Sequence, residues 1–156
     1  MTTIKVKERI MANTQLCDAT HVLAYIAINN KSQVKSAQIA ESLQTAPSLV
    51  RRIMSRLSKA GLINTVQGAT QPMLSRPANK ISLLDIYLAL DEHPELLKID
   101  QHTSPDCPIG KQIPTIVHHY YDEIQNAAQA KMAVISLQDI VSDIKLSRKQ
   151  SIAETQ

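Results

Sequence analysis

The pattern of apolar positions between residues 36 and 61 predicts two short helices joined by a tight turn at residues 44–46. Apolar side chains recur at helical spacing in both, at Ile39, Ala40 and Leu43 and then at Val50, Ile53, Met54, Leu57 and Ala60. Ser36 is placed to cap the first helix, Pro47 suits the first position of the second, and Gly61 suits a left-handed end. This arrangement is typical of a helix-turn-helix.

The second helix of this pair carries a polar face that suits a nucleic-acid groove. Its outward positions are Ser48, Arg51, Arg52, Ser55, Arg56 and Lys59. A recognition helix packs one face on the first helix and offers guanidinium groups and hydroxyls to the groove with the other. The same hypothesis includes Ser36, Gln38 and Pro47 among the DNA contacts. An amphipathic core helix with a solvated charged face is the alternative, but the apolar spacing across both helices favours DNA binding.

Residues 62–66 and 72–76 predict two strands joined by a turn, with Pro72 allowed on a sheet edge. A two-stranded ribbon is unstable alone, so it has to lean on the helices, as the β-wing of a winged helix does. We expect its polar residues to touch phosphate or the minor groove, namely Gln67, Thr70, Gln71 and Arg76. A plain surface hairpin is the alternative. Residues 14–80 together predict a winged helix-turn-helix DNA-binding domain.

A further helix is expected before this pair. Asn13 or Thr14 can cap a helix that runs to about Ile28, and residues 1–13 are expected to be a flexible N-terminal extension, with Met11 as an alternative start of the chain. Its buried stripe is Leu16, Ala19, Leu23, Ile26 and Ala27. Cys17 lies within this helix, where burial as a small apolar side chain is the expectation.

The C-terminal half predicts dimerisation or sensor helices over residues 81–145, followed by a polar tail at 146–156. Residues 81–86 resemble a capping box formed by Ser82 and Asp85, and the helix that it begins ends near Leu90. The same order of residues returns at 135–140, which we interpret as shared cap chemistry, and a short helix from 137 to 144 follows.

A loop over residues 91–108 precedes a long helix that begins at Ile109 or at Pro114. The apolar positions of this helix form a seam of Ile109, Ile113, Ile116, Tyr120, Ile124 and Ala127. Such a seam suits packing on a second copy of the chain. The loop and the seam are also a candidate for an apolar ligand pocket beside the wing domain.

The formal net charge of +3 is divided unevenly along the chain. Residues 14–80 carry eight basic and two acidic groups, whereas residues 81–156 carry six basic and eleven acidic groups. This division indicates that only the front half meets a polyanion.

Composition narrows the remaining function classes. The sequence is 44% hydrophobic but has no Trp or Phe, so its core has to be built from aliphatic residues and Met. No apolar run approaches the ~20 residues of a membrane span, no apolar signal core is present, and two Cys make no disulfide framework, so we expect a cytoplasmic protein. The sequence offers no nucleophile–base arrangement, P-loop or dinucleotide glycine motif, which argues against an enzyme.

The sequence resembles the Rrf-two family of bacterial winged-helix regulators, in its YwnA-like branch, from about Met11 to Ile144. The motifs that carry the resemblance are Ser-Ala-Gln-Ile-Ala-Glu-Ser, Val-Arg-Arg-Ile-Met-Ser-Arg-Leu-Ser-Lys-Ala-Gly-Leu-Ile, Ile-Ser-Leu-Leu-Asp-Ile-Tyr and Cys-Pro-Ile-Gly-Lys. The resemblance implies a homodimeric regulator, usually a repressor, that dimerises through its long C-terminal helix. Two recognition helices would then enter major grooves ~34 Å apart on a palindromic operator in double-stranded DNA.

Two departures from the family limit what the resemblance implies. Gly68 in the wing is followed by Ala69, where many members have a Gly-Gly pair. Iron–sulfur members supply three Cys from the loop before the long helix, but here that loop has only Cys107. One thiolate cannot hold a cluster that needs about four protein ligands. Since His118 and His119 point ~100° apart on a helix, we expect no metal and no other cofactor.

Cys107 is a candidate redox or electrophile sensor, because helix amides near its position can lower the pKa of a thiol. A loop or packing cysteine is the alternative. The sequence therefore predicts a homodimeric DNA-binding transcriptional regulator without an iron–sulfur cluster, responsive to thiol redox state or to a small molecule. A winged-helix module for protein–protein assembly that does not bind DNA is the alternative function.

Overall fold

The computed structural model describes the backbone of residues 2–64 and 71–155, and within those ranges the side chains from residue 14 onward. Its helices are α1 (Thr2–Ile28), α2 (Ser36–Leu43), α3 (Pro47–Lys59), α4 (Leu83–Leu90), α5 (Pro108–Ala133) and α6 (Leu137–Glu154), with a 3₁₀ turn at Ala78–Lys80. Strands β1 (Ile63–Asn64) and β2 (Met73–Leu74) pair antiparallel, Ile63 opposite Leu74 and Asn64 opposite Met73. The prediction of a mainly helical chain with a small two-stranded wing is confirmed.

One apolar core joins the helix-turn-helix to the helices on either side of it. Its fully buried larger side chains are Val22, Leu23, Ile26, Ile39, Val50, Leu57, Leu62, Ile63, Ile81, Ile86 and Leu137. Full burial of one such side chain stabilises the fold by about 1.5–3 kcal/mol. Because Leu137 and Val141 of α6 belong to this core, the last helix is fixed to the helix-turn-helix body.

Two capping boxes begin α4 and α6, as the sequence predicts. The Ser82 hydroxyl accepts from the Asp85 N–H at 3.0 Å, and the Asp85 carboxylate accepts from the Ser82 N–H at 2.8 Å. The corresponding bonds between Ser136 and Asp139 measure 3.1 and 2.8 Å. Both boxes satisfy amide groups that the first helical turn leaves without partners.

The two capping segments also pair with each other. The Leu83 N–H donates to the Ile135 carbonyl at 2.8 Å, and the Leu137 N–H donates to the Ile81 carbonyl at the same distance, as an antiparallel bridge between Ser82 and Ser136. The repeated sequence order therefore has a spatial counterpart, because α4 and α6 begin side by side.

Several helix boundaries differ from the predicted ones. α1 begins at Thr2 instead of Asn13 or Thr14, and α6 runs on to Glu154 instead of ending near Ile144. Neither added stretch contains a Pro or Gly that would interrupt a helix. α5 begins at Pro108, and the alternative start at Pro114 is wrong, because Pro114 lies inside the helix. Residue 1 and the predicted turn residues 67–70 lie outside the described residues.

The start of α2 and the exposure of two side chains also need correction. Lys35 is the N-cap of α2 in place of Ser36, and the Gln38 side chain accepts from the Lys35 N–H at 2.8 Å. Ala60 is exposed because it ends α3, and Gly61 with a φ of 73° then turns the chain away. Cys17 is exposed as well, and it lies about 160° around α1 from the buried Ala19.

Within the described part of the chain, none of the helices has both the length and the apolar composition that crossing a bilayer requires.

Candidate nucleic-acid interface

The inner face of α3 is fully packed, which leaves its opposite face to solvent. Val50, Ile53 and Leu57 are at most 5% exposed, and α3 packs on α2, α1 and α4. Pro47 is the first residue of the helix, where its missing N–H removes no hydrogen bond, and Ala46 is the N-cap. The helix is therefore held rigidly on one side, as predicted.

The solvent face of α3 is polar and cationic. Ser48, Arg51, Arg52, Ser55 and Lys59 are exposed, whereas Arg56 is half-buried and donates from Nη1 to Gln15 Oε1 of α1 at 3.4 Å. Among the described residues, no carboxylate lies within ion-pair distance of any of the four cations of α3. The hydrogen-bond donors of the exposed Arg51, Arg52 and Lys59 are thus available to an external anion such as a phosphate, or to a base edge.

The turn between α2 and α3 sets the angle at which the two helices meet. Gln44 ends α2 with a φ of 51°, in the left-handed region, and the Thr45 N–H donates to the Ala40 carbonyl at 3.0 Å. Of the other predicted contacts near this turn, Pro47 is exposed beside the polar face of α3. Gln38 is exposed and Ser36 is half-buried, both in the first turn of α2.

The wing is short where the structure describes it. Gln67 and Thr70 lie outside the described residues. Gln71 is half-buried, and its side-chain oxygen is shielded from solvent. The Ser75 N–H donates to the Leu62 carbonyl at 3.1 Å, which ties the returning strand to the segment that follows α3. Only the base of the predicted wing is therefore placed.

Arg76 has intramolecular partners that the sequence does not reveal. Its Nε donates to the Lys80 carbonyl at 2.8 Å, and its Nη2 lies 3.1 Å from Asp85 Oδ2. Burial raises the pKa of Asp85, but the hydrogen bonds from Ser82 and the charge of Arg76 outweigh it, so the net pKa is lowered. In this structure Arg76 links the base of the wing to the cap of α4.

Cys107 is the N-cap residue of α5, with its side chain exposed. The nearby backbone N–H groups of Gly110 and then Ile109 favour the charged form and lower the pKa of the Cys107 thiol. The Thr103 hydroxyl donates to the Gly110 carbonyl at 2.5 Å, which holds the preceding loop against this first turn. A lowered pKa raises the fraction of the thiol that is ionised to thiolate, the reactive form of cysteine.

The predicted seam on α5 is exposed along its whole length. Ile109, Ile113, Ile116, Tyr120 and Ile124 are 72%, 44%, 50%, 58% and 49% exposed, and Ala127 is exposed as well. No residue of α5 belongs to the buried core of the described chain. A row of large apolar side chains left in water is typical of an interaction surface.

Comparison with known proteins places this arrangement in a family. The sequence model of the Rrf2 family, described as an iron-dependent transcriptional regulator, matches residues 12–143. The chain belongs to the Rrf2 family. YwnA of Bacillus subtilis (strain 168), named as an HTH-type transcriptional regulator, is 32% identical over 134 residues, which cover 86% of this chain and 99% of YwnA.

Solved structures with the same fold support the assignment to the Rrf2 family. The crystal structure of a protein described as DNA-binding is 30% identical, with a TM-score of 0.65, and the match covers 81% of this chain and 97% of that protein. The global cysteine regulator CymR of B. subtilis is 16% identical, with a TM-score of 0.61 and coverage of 83% and 94%, and therefore shares the fold. The family resemblance inferred from the sequence motifs is confirmed.

Because the Rrf2 family is described as iron-dependent, we asked whether side chains of this chain could bind iron or an iron–sulfur cluster. Among the described residues, no group of three His, Cys, Asp or Glu side chains lies close enough together to hold a metal ion. The loop before α5 supplies the single thiol of Cys107. An iron–sulfur cluster is generally held by about four protein ligands, so the residues described here do not fit one.

Proposed function

We propose that this Rrf2-family regulator is a homodimeric transcriptional repressor that binds a palindromic operator in double-stranded DNA. The observation that carries the proposal is the solvent face of α3, on which four cations have no carboxylate partner among the described residues while the opposite face is buried. YwnA and the 30%-identical protein described as DNA-binding support it. A regulator of transcription works where the DNA is, so the cytoplasmic location predicted from the sequence belongs to the same proposal.

The proposed interface residues fall into two groups, those that would contact bases and those that would contact the DNA backbone. Arg51, Arg52, Ser48 and Ser55 are the proposed base readers, because they occupy the exposed face of α3 that would enter the major groove. Contacts to the sugar–phosphate backbone of the DNA are proposed for Lys59, Arg56, Ser36, Gln38, Pro47, Gln71, Gln67, Thr70 and Arg76. Phosphate contacts of this kind position the protein without reading sequence.

Fluorescence anisotropy of the full chain on its own upstream DNA, with a scrambled duplex and a salt series, tests the proposal. We expect tighter binding to the native duplex and a steep loss of affinity with salt, because phosphate neutralisation releases counterions. Arg52→Ala should cost about 1–3 kcal/mol of binding free energy, the amount typical of a lost base contact.

Lys149→Ala is the matched control for Arg52→Ala, since Lys149 is an exposed cation on α6 outside the interface. It should leave the affinity unchanged. No binding to either duplex at low salt would reject DNA as the partner and favour the protein–protein assembly module. Equal loss of affinity in Arg52→Ala and Lys149→Ala would show a general charge effect instead of a recognition helix.

We propose further that Cys107 makes the regulator responsive to peroxide. Its thiolate would attack one oxygen of hydrogen peroxide, forming an S–O bond as the O–O bond breaks and hydroxide leaves. Sulfur is thereby oxidised to sulfenic acid, and the hydroxide takes a proton from solvent to become water. Cys107→Ser should bind DNA normally and lose the effect of hydrogen peroxide in the anisotropy assay. An unchanged peroxide response in Cys107→Ser would refute this role.

A further inference from the structure

A groove of about 790 Å³ lies between α1 and α6 and reaches the end of α2. Its walls are largely apolar and are formed by Leu16, Ala24, Ile28, Leu83, Ile140 and Ile144. The volume falls within the range of about 300–1,000 Å³ that is typical of small-molecule sites. It is distinct from the loop 91–108 and the α5 seam, where the sequence predicts a ligand pocket.

The groove also has polar lining residues, and among the described ones Arg148 is its one permanently charged side chain. Arg148 and His21 both line it, and His21 Nε2 lies 2.8 Å from Ser42 Oγ. No Asp or Glu appears among the described residues that line the groove. Within the same described ranges, Arg148 has no carboxylate within ion-pair distance. An apolar trough with an uncompensated guanidinium at its edge is complementary to an apolar molecule that carries one negative charge.

We propose that this groove binds a small amphipathic carboxylate. The apolar body of the ligand would lie between Ile140 and Ile144 of α6 and Ala24 of α1. Its carboxylate would meet Arg148, whose planar guanidinium donates two parallel hydrogen bonds to a carboxylate. Burial of the apolar body would supply most of the affinity, and Arg148 would supply the selectivity for an anion.

The position of the groove connects such a ligand to the recognition helix. Ser42 lies in the last turn of α2, and α2 packs directly on α3. A ligand held between α1, α6 and the end of α2 would therefore favour one position of α2 relative to α1 and α6. Because α2 packs on α3, the ligand would also favour one orientation of α3. This regulatory consequence rests on the DNA-binding function proposed above, whereas binding of the ligand does not.

Isothermal titration calorimetry of the full chain with octanoate and with 1-octanol tests the site without DNA. Octanoate should bind more tightly than the neutral alcohol. Arg148→Gln should weaken octanoate binding about tenfold, the scale of a lost charged hydrogen bond, and leave 1-octanol binding unchanged. Lys149→Gln is the matched control, because it removes a neighbouring exposed cation that does not line the groove.

A second pair of variants locates the ligand in this groove. Cys17 lines it and is exposed, so both substitutions should preserve the fold, which circular dichroism checks. Cys17→Asp adds a negative charge and should repel octanoate, whereas Cys17→Ser should bind it normally. The proposal is overturned by absence of octanoate binding to the wild type, by normal binding in Arg148→Gln, or by normal binding in Cys17→Asp.

The anisotropy assay with and without octanoate then tests the coupling to DNA. We expect octanoate to change the affinity of the wild type for DNA at least about threefold, and not that of Arg148→Gln. An unchanged affinity would refute the coupling and leave the site standing. Octanoate binding by a protein that binds no DNA at all would instead refute the proposed function.

Discussion

The ion pair of Arg76 and Asp85 shows how one residue pair links the two-stranded sheet to α4. Arg76 follows β2, and Asp85 lies in the first turn of α4, where it also accepts from the Ser82 N–H. The carboxylate thus completes a helix cap and holds the base of the wing at the same time. Because both side chains are partly exposed, the Coulomb term alone is small, and the cap accounts for most of the expected effect.

Asp85→Ala should destabilise the protein by about 1 kcal/mol at pH 7, the usual effect of a lost helix cap. The net lowering of the Asp85 pKa determines how the contribution of this residue to the free energy of unfolding changes with pH. A carboxyl group with a lowered folded-state pKa stabilises the fold above its unfolded pKa of about 3.9, and this stabilisation is lost as pH falls through the folded pKa. Urea unfolding should therefore show a difference between wild type and variant at pH 7 that shrinks towards pH 3.

Asp139→Ala is the comparison for Asp85→Ala. Asp139 makes the same cap with Ser136, and its pKa is lowered by the backbone and side-chain hydrogen bonds of Ser136, but it is exposed and has no arginine beside it. We expect a smaller loss of stability from this substitution. An equal loss at both sites would mean that Arg76 adds nothing, and a difference independent of pH would contradict the role of the Asp85 charge.

At the scale of elements, Gln125 fixes α5 to the helix-turn-helix body. Its Nε2 donates to the Tyr87 hydroxyl at 2.9 Å and to the Pro94 carbonyl at 3.0 Å, and its Oε1 accepts from the Leu96 N–H at 3.0 Å. One amide therefore joins α5 to α4 and to the loop that follows it. These hydrogen bonds add to the packing of α5 on α4, and they matter because the buried core does not extend to α5.

Gln125→Leu should lower the stability by about 1–3 kcal/mol, because the Tyr87 hydroxyl and two backbone groups lose a hydrogen-bond partner. If the chain dimerises as proposed, the substitution should also weaken operator binding, because the two copies of α3 would be held less firmly relative to each other. Gln112→Leu is the control, since Gln112 is exposed on the same helix. Thermal unfolding and the anisotropy assay measure the two effects, and unchanged operator affinity in Gln125→Leu would contradict the coupling.

The elements that the sequence predicts well are those encoded by a few neighbouring residues. The periodicity of α3, with Pro47 at its start and Gly61 after its end, and the Ser82–Asp85 cap are local signals, and the structure confirms them. The end of α6 was missed because polar residues without Pro or Gly are compatible with both a tail and a helix.

Local sequence signals could not predict the contacts between segments that are distant in sequence. The groove beside Cys17 exists only because α6 returns to pack on α1, and the Arg76–Asp85 pair depends on the path of the chain between β2 and α4. The exposure of Cys17 could have been predicted from the sequence, by comparing its angular position around the helix axis with that of Ala19. The rest requires the tertiary arrangement.

At the scale of the whole molecule, charge and apolar surface are segregated. Four cations without a carboxylate partner among the described residues lie on α3, whereas the apolar seam lies on α5, in the half of the chain where acidic groups predominate. In the proposed dimer, each copy would present the cationic face of α3 to DNA, and the apolar seams of the two α5 helices would pack on each other. Acidic groups on the C-terminal half would also disfavour the approach of that half to the phosphate backbone of DNA.

The double variant Ile116→Lys, Ile124→Lys tests whether the seam on α5 joins two copies of the chain. These residues are 50% and 49% exposed, so the single chain should tolerate lysine, whereas a symmetric interface would have to bury four added charges. We expect size-exclusion chromatography with light scattering to show a dimer for the wild type and a monomer of 17.3 kDa for the variant. Operator affinity should fall more than 100-fold, roughly the advantage of two linked half-sites. Ile152→Lys, at an exposed apolar position of α6 outside the seam, should remain dimeric, and a dimeric double variant would rule out this interface.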